Sequence, residues 1–194
     1  MKHSVRIFII GLSLALGACG RQSAHTSIRA QNENPLTASR YGDELADAMA
    51  NLVIQNDDAA KNPAMRKIID AEIARGKKMG TDARMKQDEG MKGGIIAVKE
   101  EAAGYVLYVD DTLYLPSDFT TKPGPDLHVY LTVAVDPRDV AFPDKTAMDL
   151  GEVQNVYGAQ RYEVKHQENP MLYRTFVLFD TKLKRIYGFA QLSK

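Results

Sequence analysis

The chain has 194 residues, enough for one sizeable domain with appendages, and its 25 basic and 25 acidic residues cancel. That balance excludes strong electrostatic steering of nucleic acid or of acidic substrates. A lone cysteine excludes an intramolecular disulfide.

Residues 1–18 carry Lys2 and Arg6, followed by an apolar run from Ile7 to Ala18. The run is 12 residues long, whereas a spanning helix needs about 20. A basic start, a short apolar centre and small residues at its end form a secretory signal. Leu16-Gly17-Ala18-Cys19 resembles the bacterial lipobox. That resemblance implies cleavage before Cys19, a thioether-linked lipid on its sulfur and acylation of the new amino end. One acyl chain holds a membrane only marginally, and several hold it durably. By the same analogy, Gly20 in place of an aspartate points to the outer membrane, on its periplasmic side. The expected partner is therefore the membrane, reached through lipid at Cys19 in the cell envelope.

Residues 19–40 are polar and lack periodicity, which predicts a flexible tether that includes His25. A helical hairpin is expected over 41–80. Leu45, Met49, Leu52 and Val53 share one helix face, and Met65, Ile68, Ile69 and Ile73 mark a second. Asn62 before Pro63 predicts an N-cap, and Gly76 or Gly80 predicts the stop. The charged, glycine-containing stretch at 81–94 reads as a linker. Met79, Met85 and Met91 recur every six residues, a spacing that suits no common coordination site.

From residue 95 onwards the texture changes. "GYVLYV", "TLYL", "DLHVYLTVAV", "QRYEV", "TFVLF" and "RIYGFAQL" are short runs rich in Val, Tyr and Phe, separated by Pro, Gly, Asp and Asn. They predict a mainly β domain at 95–194: an antiparallel sandwich or barrel of about 7–8 short strands. Asp110-Asp111 predicts a tight turn. "TFVLF" is apolar on both faces and predicts a central strand.

In "DLHVYLTV", Leu127, Val129, Leu131 and Val133 alternate with Asp126, His128, Tyr130 and Thr132. Same-face neighbours lie about 6.6 Å apart along a strand. Asp126 could thus hold the His128 tautomer, as carboxylates do behind metal-binding histidines. Asp126, His128 and Tyr130 are the candidate binding face. A metal site needs about three or four ligands. With His3 in the signal and His25 in the tether, only His128 and His166 remain in the folded part. No metal, cofactor or catalytic residue is expected on this reading, and the row is a half-exposed sheet face. Haem-attachment, phosphate-loop, dinucleotide and nucleophile-elbow motifs are missing.

"DTLYLPSDFTTKPGPDLHVYLT", "DLGEVQNVYGAQRYEV" and "RTFVLFDTKLKRIYGFAQL", in that order, resemble the DM-thirteen domain family over about 90–192. Gly124, Pro125, Asp126, Leu127, Val129, Tyr130 and Leu131 carry the first block. Leu150, Gly151, Gly158, Gln160 and Tyr162 carry the second, and Gly188, Ala190 and Leu192 the third. The resemblance implies a secreted or surface-associated β-domain with an electron-transfer role, carried partly by a cysteine in the closing strand. Here Asp180 stands at about that cysteine's position, so a thiol route is not available to this domain. The leading expectation is a non-enzymatic, lipid-anchored binding or interaction module with an unidentified protein or small-molecule ligand. The other is an electron-transfer or metal-binding protein using Asp126 and His128. Neither involves nucleic acid.

Overall fold

The computed structural model describes Ile28 and residues 32–194. The signal segment, Cys19 and His25 lie outside the described residues. Helix α1 spans Pro35–Ile54, α2 Asp58–Lys61 and α3 Pro63–Glu89. The first helix starts before the apolar spacing predicts. Asn34 is its N-cap: its side-chain oxygen accepts from the Leu36 N–H at 3.0 Å, and Pro35 takes the first helical position. The Asn34 amide also donates to the Leu115 carbonyl at 2.6 Å. One side chain thus starts the helix and moors it to the β-domain. Asn62 caps α3 in the expected way, accepting from the Ala64 and Met65 N–H groups.

Two expected boundaries are corrected. The linker at 81–94 is helix up to Glu89 and strand from Met91, and the tether at 19–40 gives way to helix at Pro35. Gly76 and Gly80 are not helix stops. A Cβ on Gly76 would sit 2.6 Å from the Gly42 carbonyl oxygen, and one on Gly42 would sit 2.6 Å from that of Gly76. Glycine here permits backbone-to-backbone contact between α1 and α3, at a cost of about 1 kcal/mol of helix propensity per residue. Exposed pairs such as Arg66–Asp70 at 2.9 Å and Lys78–Asp82 at 2.8 Å lace the outer side of α3. No described helix is long and apolar enough to cross a membrane.

Apart from one 3-10 turn at Pro170–Leu172, the rest is antiparallel β-structure, as expected, although the strands among the described residues number 11 because several are only two residues long. One sheet has the order β1 (Met91–Gly94), β4 (Tyr105–Val109), β5 (Thr112–Leu115), β9 (Gln160–Glu163). The other has the order β2 (Ile96–Ala97), β11 (Arg185–Gln191), β10 (Thr175–Asp180), β7 (Leu127–Thr132), β8 (Met148–Glu152). A short pair, β3 (Ala102–Ala103) and β6 (Thr120–Thr121), stands apart. Val106, Leu113 and Leu115 from the first sheet meet Val129, Leu131, Phe176 and Leu178 from the second in one fully buried cluster. The sheets therefore face each other across a common core.

Asp110 and Asp111 have φ of 48° and 52° and join the paired residues Val109 and Thr112, which makes the expected two-residue turn. β10 is central and buried along its whole length. Its Phe176 and Leu178 enter the main core. Its Val177 and Phe179 join Tyr130 and Phe189 in a second cluster on the opposite face, closed by Phe142 and Ala147. Both faces of "TFVLF" are covered, which is why it lacks alternation.

Candidate functional site

Asp149 and Glu152 are three residues apart in β8, so a regular strand would point them to opposite faces. A bulge changes that. His128 faces Glu152, Val129 faces Gly151 and Tyr130 faces Asp149, which leaves Leu150 with no opposite residue. Gly151 makes the kink at φ +106°, where side chains are strained. The bulge brings both acids to the face of β7 that carries His128.

His128 is held from behind. Its Nδ1 lies 2.9 Å from both carboxylate oxygens of Asp149. An ionised carboxylate only accepts, so Nδ1 donates in this contact. The Asp149 carboxylate is itself fixed by the Gly151 N–H at 2.8 Å and the Tyr130 hydroxyl at 3.1 Å. Nε2 lies 3.7 Å from Asp126 Oδ1. The donor atoms of Asp126, His128 and Glu152 lie within 4.8 Å of one another.

Asp126 is prepared by the β10–β11 turn. Its Oδ2 accepts a short hydrogen bond from the Thr181 hydroxyl, and Lys182 Nζ sits 3.8 Å from Oδ1. The Thr181 bond foremost, with Lys182 and His128 helping, holds the Asp126 carboxyl below the usual range. Asp180 fixes that turn. It is fully buried, and it accepts from the backbone N–H groups of Asp126 at 3.1 Å, Lys182 at 3.0 Å and Leu183 at 2.8 Å. A Cβ on Gly124 would collide with the Asp180 carboxylate and the Tyr187 hydroxyl, so the Pro123-Gly124-Pro125 turn needs glycine there. A cleft of ≈ 380 Å³ opens beside this turn, lined by Asp126, Glu152 and Lys182 among others.

Asp126 and His128 therefore converge as the sequence spacing predicts, but with exchanged roles. Asp149, not Asp126, lies at the His128 Nδ1, and Asp126 stands beside Nε2. Tyr130 departs from the expectation of a half-exposed face. It is 6% exposed and packs edge-on against Phe142 and Phe179 at centroid distances of 5.4 and 6.1 Å. Burial first, then the Asp149 charge, pushes its phenol up to about 12. It supports the site from beneath and does not line the cleft. Thr132 is likewise buried, donating to Asp144 at 2.6 Å. Sequence reasoning missed Asp149, Glu152, Thr181 and Lys182. The available signal was the glycine inside "DLGEV", where a bulge would turn two acids the same way.

With this geometry in hand, a family model described as Electron transfer DM13 matches residues 94–192. The chain belongs to the Electron transfer DM13 family. A search of curated proteins and a search of solved structures each found no match. The match covers the β-sandwich from the last residue of β1 onwards and omits the helical hairpin. Within this DM13 domain no cysteine is present. The position at the end of β10 is filled by Asp180, whose carboxylate is spent on three backbone donors.

The donor set fits a first-row transition ion better than a hard cation. An imidazole nitrogen suits Cu, Fe, Ni or Zn, and two carboxylates complete a mixed nitrogen–oxygen site. A third carboxylate, Asp149, behind the histidine raises ligand basicity and fixes the ring.

Proposed function

We propose that this protein is a lipid-anchored electron carrier of the cell envelope, whose DM13 domain holds a redox-active ion, Cu²⁺ or Fe²⁺, between Asp126, His128 and Glu152. One observation carries the reading: His128 is fixed through Nδ1 by Asp149, and its ring shares with Asp126 and Glu152 a cluster of donor atoms within 4.8 Å of one another. That arrangement favours an ion site over a plain binding module. Family membership supports the electron-transfer half. The bound ion would supply the one-electron couple. The chain's own part is to position. The bulge aims Glu152, Asp180 sets the turn that presents Asp126, and Asp149 orients the imidazole. Lys182 reaches Asp126 Oδ1 on a side chain that is 65% exposed, and it would be free to swing into water if an ion took that oxygen.

The anchor belongs to the same proposal. Lipid at Cys19 tethers the domain through the residues ahead of α1 and keeps it at the membrane surface. Two measurements test these halves. Elemental analysis of the detergent-purified chain after Cu²⁺ loading should give one ion per chain, and His128→Ala should lose it. Retention of the full complement by His128→Ala would refute the site. Cys19→Ala should carry no lipid and keep the mass of the unprocessed chain. A Cys19→Ala chain processed to the wild-type mass would refute the anchor.

A further inference from the structure

The helical hairpin carries a face that no described residue covers. Gly42, Ala46, Gly76 and Gly80 are buried where α1 and α3 touch. Backbones this close leave no room between them for large side chains, so the apolar ones stand on the flank. Tyr41, Leu45, Ala48 and Leu52 recur at i, i+4, i+7 and i+11 on α1, and Ile68, Glu72, Arg75 and Met79 repeat that spacing on α3. The two stripes lie on one side of the hairpin, because Arg75, bonded to Glu72 at 2.6 Å, adjoins the Tyr41 hydroxyl. A groove of ≈ 420 Å³ lined by Ala38, Arg75 and Met79 opens on the same side.

Ile68 is 64% exposed there, and Leu45, Leu52 and Met79 are only half-buried. The opposite side is hydrophilic: Arg84 pairs with Asp43 across the helices at 2.6 Å, and Lys77 is exposed in the same row. The hairpin is moored to the sandwich at its base, through Asn34 to Leu115 and Lys86 to Asp110, and the apolar stripes run on from there towards the tip. Glu72 and Arg75 sit midway along the α3 stripe, where a polar group sets register at some cost in stability.

We propose that this face binds the same face of a second copy of the chain, closing a two-fold four-helix bundle. Size and charge both favour a copy. α1 has 20 residues. At about 1.5 Å per residue, and two helices or about 20 Å wide, the face covers roughly 600 Å². Two such faces bury roughly 1,200 Å², the lower end of stable interfaces. α1 carries Asp43, Glu44 and Asp47 against Arg40, whereas α3 carries seven bases against five acids. Laying α1 of one copy on α3 of the other opposes unlike charge, and pairing like helices does not. In that arrangement the two-fold axis runs along the hairpin, so both sandwiches and both Asn34 ends lie at one end. Two copies tethered to one membrane can meet this way. The pairing uses no residue of the ion site.

The test is sedimentation equilibrium of the full chain in density-matched detergent, joined to cysteine cross-linking in phosphatidylcholine vesicles. A monomer–dimer equilibrium in the micromolar range is expected. Ile68→Glu should weaken it at least about tenfold, because the contact would bury a carboxylate. Ile68 is exposed in the single chain, so the variant should keep the melting temperature and helical content of the wild type. Lys77→Ala, on the hydrophilic side, should leave dimerisation unchanged. Leu52 and Ile68 stand at about the same height, and an axis along the hairpin preserves height. In vesicles, chains with Leu52→Cys should therefore cross-link to chains with Ile68→Cys more than to their own kind. A chain that is monomeric in detergent and uncross-linked in vesicles would overturn the proposal and leave the face to lipid. So would a dimer that Ile68→Glu leaves intact, one that Lys77→Ala weakens as much, or cross-linking confined to Leu52→Cys with itself.

Discussion

The molecule contains the same side-chain pair twice. His128 meets Asp149 on the β7–β8 bulge, and His166 meets Asp111 at the β4–β5 turn, each through Nδ1 and a carboxylate. The difference lies in what surrounds them. His128 is 18% exposed, and its ring clusters with the Asp126 and Glu152 carboxylates, whereas His166 is 80% exposed. The pair alone does not make a site. A sheet that buries one side of the ring and a bulge that gathers acids on the other side do.

The largest effect should come from removing the support under the His128 end. Asp180→Ala removes the acceptor of three part-buried backbone N–H groups, each hydrogen bond worth about 1 kcal/mol, so a loss of about 3 kcal/mol is expected in urea denaturation. A loss below 1 kcal/mol would mean that the turn carries itself. Next, Asp149→Asn should lower Cu²⁺ affinity about 10–100-fold by loosening the His128 ring, while Asp111→Asn leaves it unchanged. Equal effects of the two would erase the contrast between the pairs.

A pH effect follows from the tyrosines near each end. Tyr130 beside Asp149 and Tyr108 near Asp111 are both pushed up to about 12, mainly by burial. Their raised values favour the neutral, folded form. That contribution is complete below the ordinary phenol value of 10.0 and is lost as pH rises through about 12. Melting temperature should therefore fall over this window, and Tyr130→Phe with Tyr108→Phe should flatten the fall. The smallest effect is expected at the exposed pair, where His166→Ala should change stability by no more than about 0.5 kcal/mol.

Much of the architecture is readable in the sequence, because alternation and turn residues act locally. The strand Leu127–Thr132, the Asp110-Asp111 turn and the buried strand Thr175–Asp180 follow from periods and φ preferences alone. The helix boundaries show where local signals compete. Asn34-Pro35 is the same start signal as Asn62-Pro63, but it lies inside a polar stretch with no apolar stripe to mark it. Gly76 and Gly80 look like stops and instead serve a helix crossing, which depends on Gly42 some thirty residues away. The site was half legible for a similar reason. Asp126 and His128 share a strand face, but Glu152 and Asp149 reach it only through a register shift between two strands. Nothing in the spacing of "DLGEV" reports the partner strand's register.

Electron paramagnetic resonance of the Cu²⁺-loaded chain tests the ion site most directly. Hyperfine coupling from a single imidazole nitrogen is expected. It should disappear in His128→Ala and persist in His166→Ala. A signal that survives His128→Ala, or one that depends on His166, would contradict the assignment of the ion to Asp126, His128 and Glu152.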